Sequence, residues 1–481
     1  MTDIDQPTAK IAAAHKRWQR ARDVIEGADA VKARGTTYLP KLTDQQADEF
    51  EDYKQAVPFF PGAGVTHEGL IGMINRKPAT MTAPAALEPI LETITATGMT
   101  VDDLAEEVLS EILITNFVGL LVDHPASTAG LNAANAIAKG FRPFVAVYRA
   151  ESILEVTPAV IENKLKVVRV RLKDDEDTVR ELALVDGKYQ VIIHRRVGGE
   201  WLADAPVVPL KRGQPLDAIP FVLATTKARK FEPQKAPLDD VVITNLDHYN
   251  VQAQHSLTRL MTCIPMIKVK GVADPSMDPD SKHKPIRAVP GTVIYLPVVE
   301  GVDADAEWMK NDAPAIGDIR QTALDLKEDM SQEGLRIIAS EKNASEAAET
   351  HAIRRASENS RTASLARIVS RKIEEALIIV ADWVGVTGEL SYALSTDFLP
   401  TPMSSQDVAA LQGLVAAGLM SKQTMFELLQ QGEMIPDGLT YEEERSRIEE
   451  DQADMPTSQA GLSTFPQEPV EDQEAEEPTD R

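Results

Sequence analysis

Ala313–Val384 reads APAIGDIRQTALDLKEDMSQEGLRIIASEKNASEAAETHAIRRASENSRTASLARIVSRKIEEALIIVADWV. Its first part places Ile316, Ile319, Ala323, Leu326, Met330, Gly334 and Ile337 at steps of three and four, one apolar stripe on a helix. A polar break follows, Ser340-Glu341-Lys342-Asn343-Ala344-Ser345. Ser345 is suited to cap a second helix, with Glu346 and Glu349 near its positive end. That helix is expected to run to about Val384, a length of roughly 60 Å. Its stripe is Ala348, Ala352, Ala356, Asn359, Ala363, Ala366, Ser370, Ile373, Leu377, Val380 and Val384. Small residues fill the first half, so a neighbour can approach closely; large ones fill the second, which belongs in a core. Such a helix suits a spoke in a ring of subunits, and equally a long helix in a monomeric α+β protein.

Outward from this centre the chain alternates between helical and extended patterns. Lys10 to Arg34, Thr43 to Tyr53, His67 to Ile74, Leu87 to Thr97 and Thr100 to Phe117 read as helices. Gly35 is expected to stop the first, Thr66 to cap the third, and Thr100 or Asp102 the last. From 141 to 232 the period changes to two, with strands at Phe144–Tyr148, Leu165–Leu172, Arg180–Val185, Tyr189–Arg195 and Pro220–Ala224 forming a mixed sheet. Residues 238–262 return to helix. Pro265–Lys270 and Thr292–Pro297 read as strands around a loop rich in proline, lysine and aspartate. Short helices are expected at 404–417, 421–431 and 440–451, and residues 126–140 as a small-residue loop or weak helix.

Composition narrows the function. The chain has 481 residues and a net charge of −25, which opposes gripping nucleic acid by its phosphates. Of that charge, −11 lies from Tyr441 to Arg481, where 14 acids face 3 bases among prolines, so this tail is expected to be disordered. No apolar run approaches a membrane span, and the N-terminal twenty residues carry no secretion signal. The single cysteine, Cys263, excludes an internal disulfide.

Chemistry-bearing patterns are sparse. No phosphate loop is present, and Gly62-Ala63-Gly64 lacks the preceding strand of a dinucleotide fingerprint, so it reads as a turn before a helix. The histidines show no metal spacing; His248 and His255 share a helix face and read as structural or interface residues. Asp102-Asp103 and Asp239-Asp240 sit at helix starts, where they stabilise the dipole. No catalytic residue, cofactor or metal ligand is assigned. The alternatives are a metal-dependent enzyme acting on nucleic acid or protein, with acids such as Asp239 and Asp240 as ligands, and a monomeric scaffold or adaptor.

A set of motifs in fixed order carries a resemblance. It comprises Tyr53-Lys54-Gln55-Ala56-Val57-Pro58-Phe59-Phe60, Gly69 to Pro78, Arg142-Pro143-Phe144, Tyr148 to Ile153, Leu216 to Phe221, Pro237 to Asp240, Asn245-Leu246-Asp247-His248-Tyr249, and Ala348-Glu349-Thr350 before an Arg-rich helix ending near Trp383. Over about residues 15 to 450 the chain resembles portal proteins of tailed bacteriophages, in a portal family long described as a domain of unknown function.

The resemblance implies an α+β portal fold and a non-enzymatic ring, usually of about twelve copies. Its regions would be a mixed α/β wing at 1–237, stem helices at 238–262 and 313–339, and a small β-containing clip at 263–312. A tunnel loop at 340–345, a spine helix at 346–388, outer wing or crown helices at 389–452 and the acidic tail at 453–481 complete it. Ser340, Glu341, Lys342, Asn343, Ala344 and Ser345 would then face DNA. Lys268, Lys270, Lys282, Lys284 and Arg287 would dock a packaging motor or adaptor. The implied partners are the terminase large subunit, a major capsid or scaffolding protein, a head–tail adaptor and double-stranded DNA passing without sequence preference, with no membrane. The implied place is the unique capsid vertex of the virion, after assembly in the host cytoplasm.

Overall fold

The computed structural model describes residues 4–43, 45–124, 142–227, 230–263, 266–270, 305–309, 315–335, 348–396, 398, 405–432, 434–436 and 438–454. The fold is α+β, and the chain divides into the compact units Met1–Phe398 and Leu399–Arg481.

The first unit opens with helices α1 (Ala9–Glu26) and α2 (Ala28–Ala33). One continuous helix was expected here; Gly27, at φ 114°, breaks it, a conformation open to glycine because it lacks Cβ. Helix α3 (Ala47–Ala56) starts three residues later than its acidic pattern suggests, with the Gln46 N–H donating to the Glu49 carboxylate. Helix α4 spans Gly62–Ile74, so Gly62-Ala63-Gly64 is its first turn and Thr66 lies inside it. The expected helix at Leu87–Thr97 shrinks to α5 (Glu88–Leu91) beside a 3-10 turn. Helix α6 (Val101–Ile114) is capped as expected, by a reciprocal pair between Thr100 and Asp103.

Two antiparallel sheets replace the expected mixed one. The first has three strands in the order β11-β2-β3, with β2 (Val118–Asp123) between β3 (Phe144–Tyr148) and β11 (Phe221–Ala224). The second is a five-stranded meander of β4 (Ile153–Ile161), β5 (Lys164–Asp175), β6 (Thr178–Val185), β7 (Lys188–Val197) and β8 (Glu200–Ala203). Its connections are tight hairpins, which admit only antiparallel pairing. Asp186 and Gly187 both take positive φ, as a two-residue turn between right-twisted strands requires.

Three long helices complete the unit: α7 (Asp239–Cys263), α8 (Ala315–Leu335) and α9 (Ala348–Val384). Helices α7 and α8 pack on each other, and short strands β12 (Met266–Lys270) and β13 (Asp305–Met309) form an antiparallel ladder beyond them. The expected partner strand at 292–297, the 126–140 segment and residues 455–481 of the tail lie outside the described residues. Helix α9 packs on α6, β2 and β11, burying Ala366, Val369, Ile373, Leu377 and Val380. The Ser370 hydroxyl donates to Ala366 C=O at 2.7 Å and accepts the Leu394 N–H at 2.9 Å. This bond ties down the segment after the helix. There Ser391–Ala393 pairs with Thr80–Thr82, so the residues up to Phe398 belong with the first unit rather than with the helices that follow. The second unit holds helices at Ser405–Ala416, Lys422–Gln431 and Tyr441–Asp454, with Ser421 capping the middle one and Phe426 edge-on to Tyr441.

Backbone proximity at the central sheet is testable. A Cβ on Gly119 would stand 2.5 Å from the ring of Phe221, whereas one on Gly72 in α4 meets nothing within 4 Å. We expect Gly119→Ala to lower unfolding free energy by about 1–3 kcal/mol and Gly72→Ala to leave it unchanged or raise it, in chemical denaturation.

Candidate functional site

The candidate site is the joint from which α7 and α8 leave the body. Helix α4 begins after Pro61 with no capping side chain of its own. Its first N–H groups are buried, and a buried donor without a partner is costly. The partner is Asn245, 182 residues away in sequence: its Oδ1 accepts the Ala63 N–H at 2.8 Å, and its Nδ2 donates to Phe60 C=O at 2.9 Å. One fully buried side-chain amide thus closes two backbone groups of the 59–64 turn and fixes that turn to α7.

Helix α8 reaches the same turn from the other side. A Cβ on Gly334 would lie 2.5 Å from the Thr66 hydroxyl, and one on Gly62 would lie 3.0 Å from the Met330 sulfur. The two glycines let α4 and α8 meet at backbone distance. Thr66 turns its hydroxyl onto Gly62 C=O at 2.8 Å, and Thr244 of α7 donates to Glu333 of α8 at 3.1 Å. Around these contacts the rings interlock. Phe59 stands edge-on to Tyr249 and Phe60 edge-on to His248, each at 5.7 Å, while the Lys327 ammonium lies 4.5 Å above the Phe60 ring.

Burial first, and the Lys327 charge second, hold the His248 pKa below the usual histidine value, so its ring is neutral at pH 7. Burial pushes the Tyr249 hydroxyl up to about 12. The joint is therefore uncharged at its centre, apart from Lys327 at its margin.

A second set of contacts anchors α1 to the same body. The Trp18 indole N–H donates to Thr115 C=O at 3.1 Å, and Arg22 is shared between Glu111 at 2.8 Å and Glu151 at 2.7 Å. Burial opposes ionisation of Glu151, and the hydrogen bonds and charge of Arg22 outweigh it, so its pKa falls. Arg17 approaches Asp239 at 3.3 Å, and Lys235 meets Asp240 at 2.5 Å. Each carboxylate at the start of α7 thus faces a cation of its own chain. No group of three or more metal-ligating side chains occurs among the described residues, and no helix of the described residues is long and apolar enough to cross a membrane.

The residues singled out from the sequence fall unevenly. Ser340, Glu341, Lys342, Asn343, Ala344 and Ser345 lie outside the described residues, as do Lys282, Lys284 and Arg287. Lys268 and Lys270 lie on β12, in register with Glu307 and Asp305 of β13. His248 is a buried joint residue and His255 is half-buried on the same helix. Asn245 was read only as part of a motif; its capping role needs a fold that brings residue 63 to it, and no local pattern announces that.

Residues 237–384 match the family model described as a domain of unknown function, DUF4055. The match spans α7, α8 and α9. No curated protein matches the chain. Among solved structures it is similar to chains from the neck of an empty GTA particle computed with C6 symmetry (13% identity, TM-score 0.41, covering 81% of this chain and 95% of that one). It is also similar to one from the virion of a native gene transfer agent (GTA) particle (13% identity, TM-score 0.38, covering 84% and 98%).

Two outcomes test the joint. Asn245→Ala leaves a buried N–H and a buried C=O without partners and should lower unfolding free energy by about 2–4 kcal/mol in denaturant titrations. The depressed His248 pKa means the unfolded chain takes up a proton more readily than the folded one. Its stabilising contribution is therefore complete above about pH 6.5 and is lost as pH falls toward the lower folded value. His67, whose pKa is depressed by burial as well, acts in the same direction. Melting temperatures should fall from pH 7 to pH 5, and the fall should be shallower in His248→Gln.

Proposed function

We propose that this chain is the subunit of a phage portal, a ring at the capsid vertex through which a separate motor drives DNA and to which the tail attaches. The observation that carries this reading is the joint. Motifs far apart in the resemblance, Phe59-Phe60 near the start and Asn245-Leu246-Asp247-His248-Tyr249 in the middle, meet as one buried contact at the root of α7 and α8. From that root α7 leads out for ~27 Å to the β12–β13 ladder, and α8 leads back. A rigid antiparallel pair set on an α+β body, followed by a 37-residue helix returning across that body, suits wing, stem, clip and spine in turn. The acidic excess of the chain suits a channel in which DNA slides without sticking.

On this reading residues 340–345 form the tunnel loop, and the 263–312 segment meets the motor or adaptor. The terminase large subunit, a capsid or scaffolding protein, an adaptor and passing duplex DNA are the partners. The role is mechanical rather than enzymatic.

Purified protein should form rings with a central hole in negative stain. About twelve copies of the 52.5 kDa chain give roughly 0.6 MDa by mass photometry. A monomer at micromolar concentration under all salt conditions overturns the reading. Deleting Asn343–Ser345 should leave the ring intact and impair packaging or retention of DNA; normal packaging would refute the tunnel-loop role.

A further inference from the structure

Two rows of unmatched charge lie on the helices that follow the joint. On α9, Arg361, Arg367 and Arg371 are exposed, and no ion pair joins them to an acid among the described residues. Arg367 and Arg371 stand one turn apart, and Ile378, 49% exposed, continues their row two turns beyond Arg371, while Arg361 lies about a quarter to a third of a turn round the helix from them. The nearby Glu375 and Asp382 are taken by Lys372 and Lys211. Glu374, half-buried between Arg371 and Ile378, faces the Tyr392 N–H at 3.5 Å, so the exposed part of the stripe is basic with an aliphatic end.

Helix α8 carries the reverse. Asp318, Asp325 and Asp329 fall at steps of seven and four in one row, with Glu328 beside it, all exposed and without an ion pair among the described residues. Arg320 and Lys327 project on the opposite side of that helix, where Lys327 covers Phe60. The rows share a spacing: Asp325 and Asp329, like Arg367 and Arg371, stand one turn apart, ~6 Å of helix.

We propose that these rows meet between neighbouring copies of this chain, the arginine row of α9 in one copy against the aspartate row of α8 in the next. The inference rests on the ring reading and adds to it the surfaces that join subunits. The contact is heterologous: each copy gives one row to each neighbour, so closure of a ring satisfies both rows in every copy. Guanidinium groups pair with carboxylates in two-pronged hydrogen bonds, and the opposed charges set register more than they add raw affinity. Duplex phosphates are the other polyanion an arginine row attracts, but they leave the matching acidic row unexplained and are repelled by it.

The test uses the full chain with Arg367→Glu/Arg371→Glu or with Asp325→Arg/Asp329→Arg, all at exposed positions. Each double variant alone brings like charges together, and the concentration at which rings form should rise by on the order of 100-fold. Mixed in equal amounts, the two should recover rings of alternating subunits, because each then presents the sign the other lacks. Circular dichroism melts check that both variants fold. If either folds poorly, the wild-type ring decides: its assembly should weaken between about 0.1 and 1 M salt, and insensitivity overturns the pairing. A wild type without rings overturns the ring reading and this inference together. Wild-type rings that both variants form as readily overturn the pairing alone. So do arginine variants that assemble normally but lose binding to a short DNA duplex, which would assign the row to phosphate.

Discussion

The buried amide of Asn245 is the contact on which the rest of this molecule depends. A helix start inside a protein leaves N–H groups that must find acceptors, and a turn leading into it leaves carbonyls that must find donors. Asn245 answers both at once, from a helix that then runs on for ~27 Å. The direction of that helix is held by this two-point hydrogen bond together with the burial of Val241, Val242, Leu246, Tyr249 and Ala253. Gly62 and Gly334 complete the constraint by letting α4 and α8 touch at backbone distance. A helix pair that is to transmit force or hold a register needs such a root.

Electrostatics divides the chain into matched and unmatched parts. Within the body the charges are paired: Arg22 between Glu111 and Glu151, Arg17 with Asp239, Arg180 between Asp123 and Asp174. These pairs are partly buried, where breaking one costs more than any exposed pair contributes. Exposed charges without an ion pair among the described residues include Arg367 and Arg371 on α9 and Asp318, Asp325 and Asp329 on α8. The net charge of −25 is therefore partly a property of surfaces.

Much of this was legible in the residues. The stripes of α7, α8 and α9, the Thr100 cap, all five anticipated strands of the sheet region and all three C-terminal helices follow from periodicity and capping chemistry. The misses share a cause. Gly27 splits a helix whose apolar stripe runs on through it, because φ is decided by the packing of α1 and α2 and not by the stripe. Strands Thr80–Thr82 and Ser391–Ala393 are too short to show a pattern and exist because each supplies the other's hydrogen bonds. Strand β4 carries Pro158 beside a register shift, which hides its period.

By itself, then, the sequence determined element type, the long-helix centre, the charge imbalance and the ordered motifs that point to a family, since each of these is written in local spacing. Only the tertiary structure decided that Phe60, Ala63, Asn245, His248, Met330 and Gly334 form one joint. Their contact depends on backbone groups left unpaired at a helix start, and no pattern along the chain records which distant side chain will reach them.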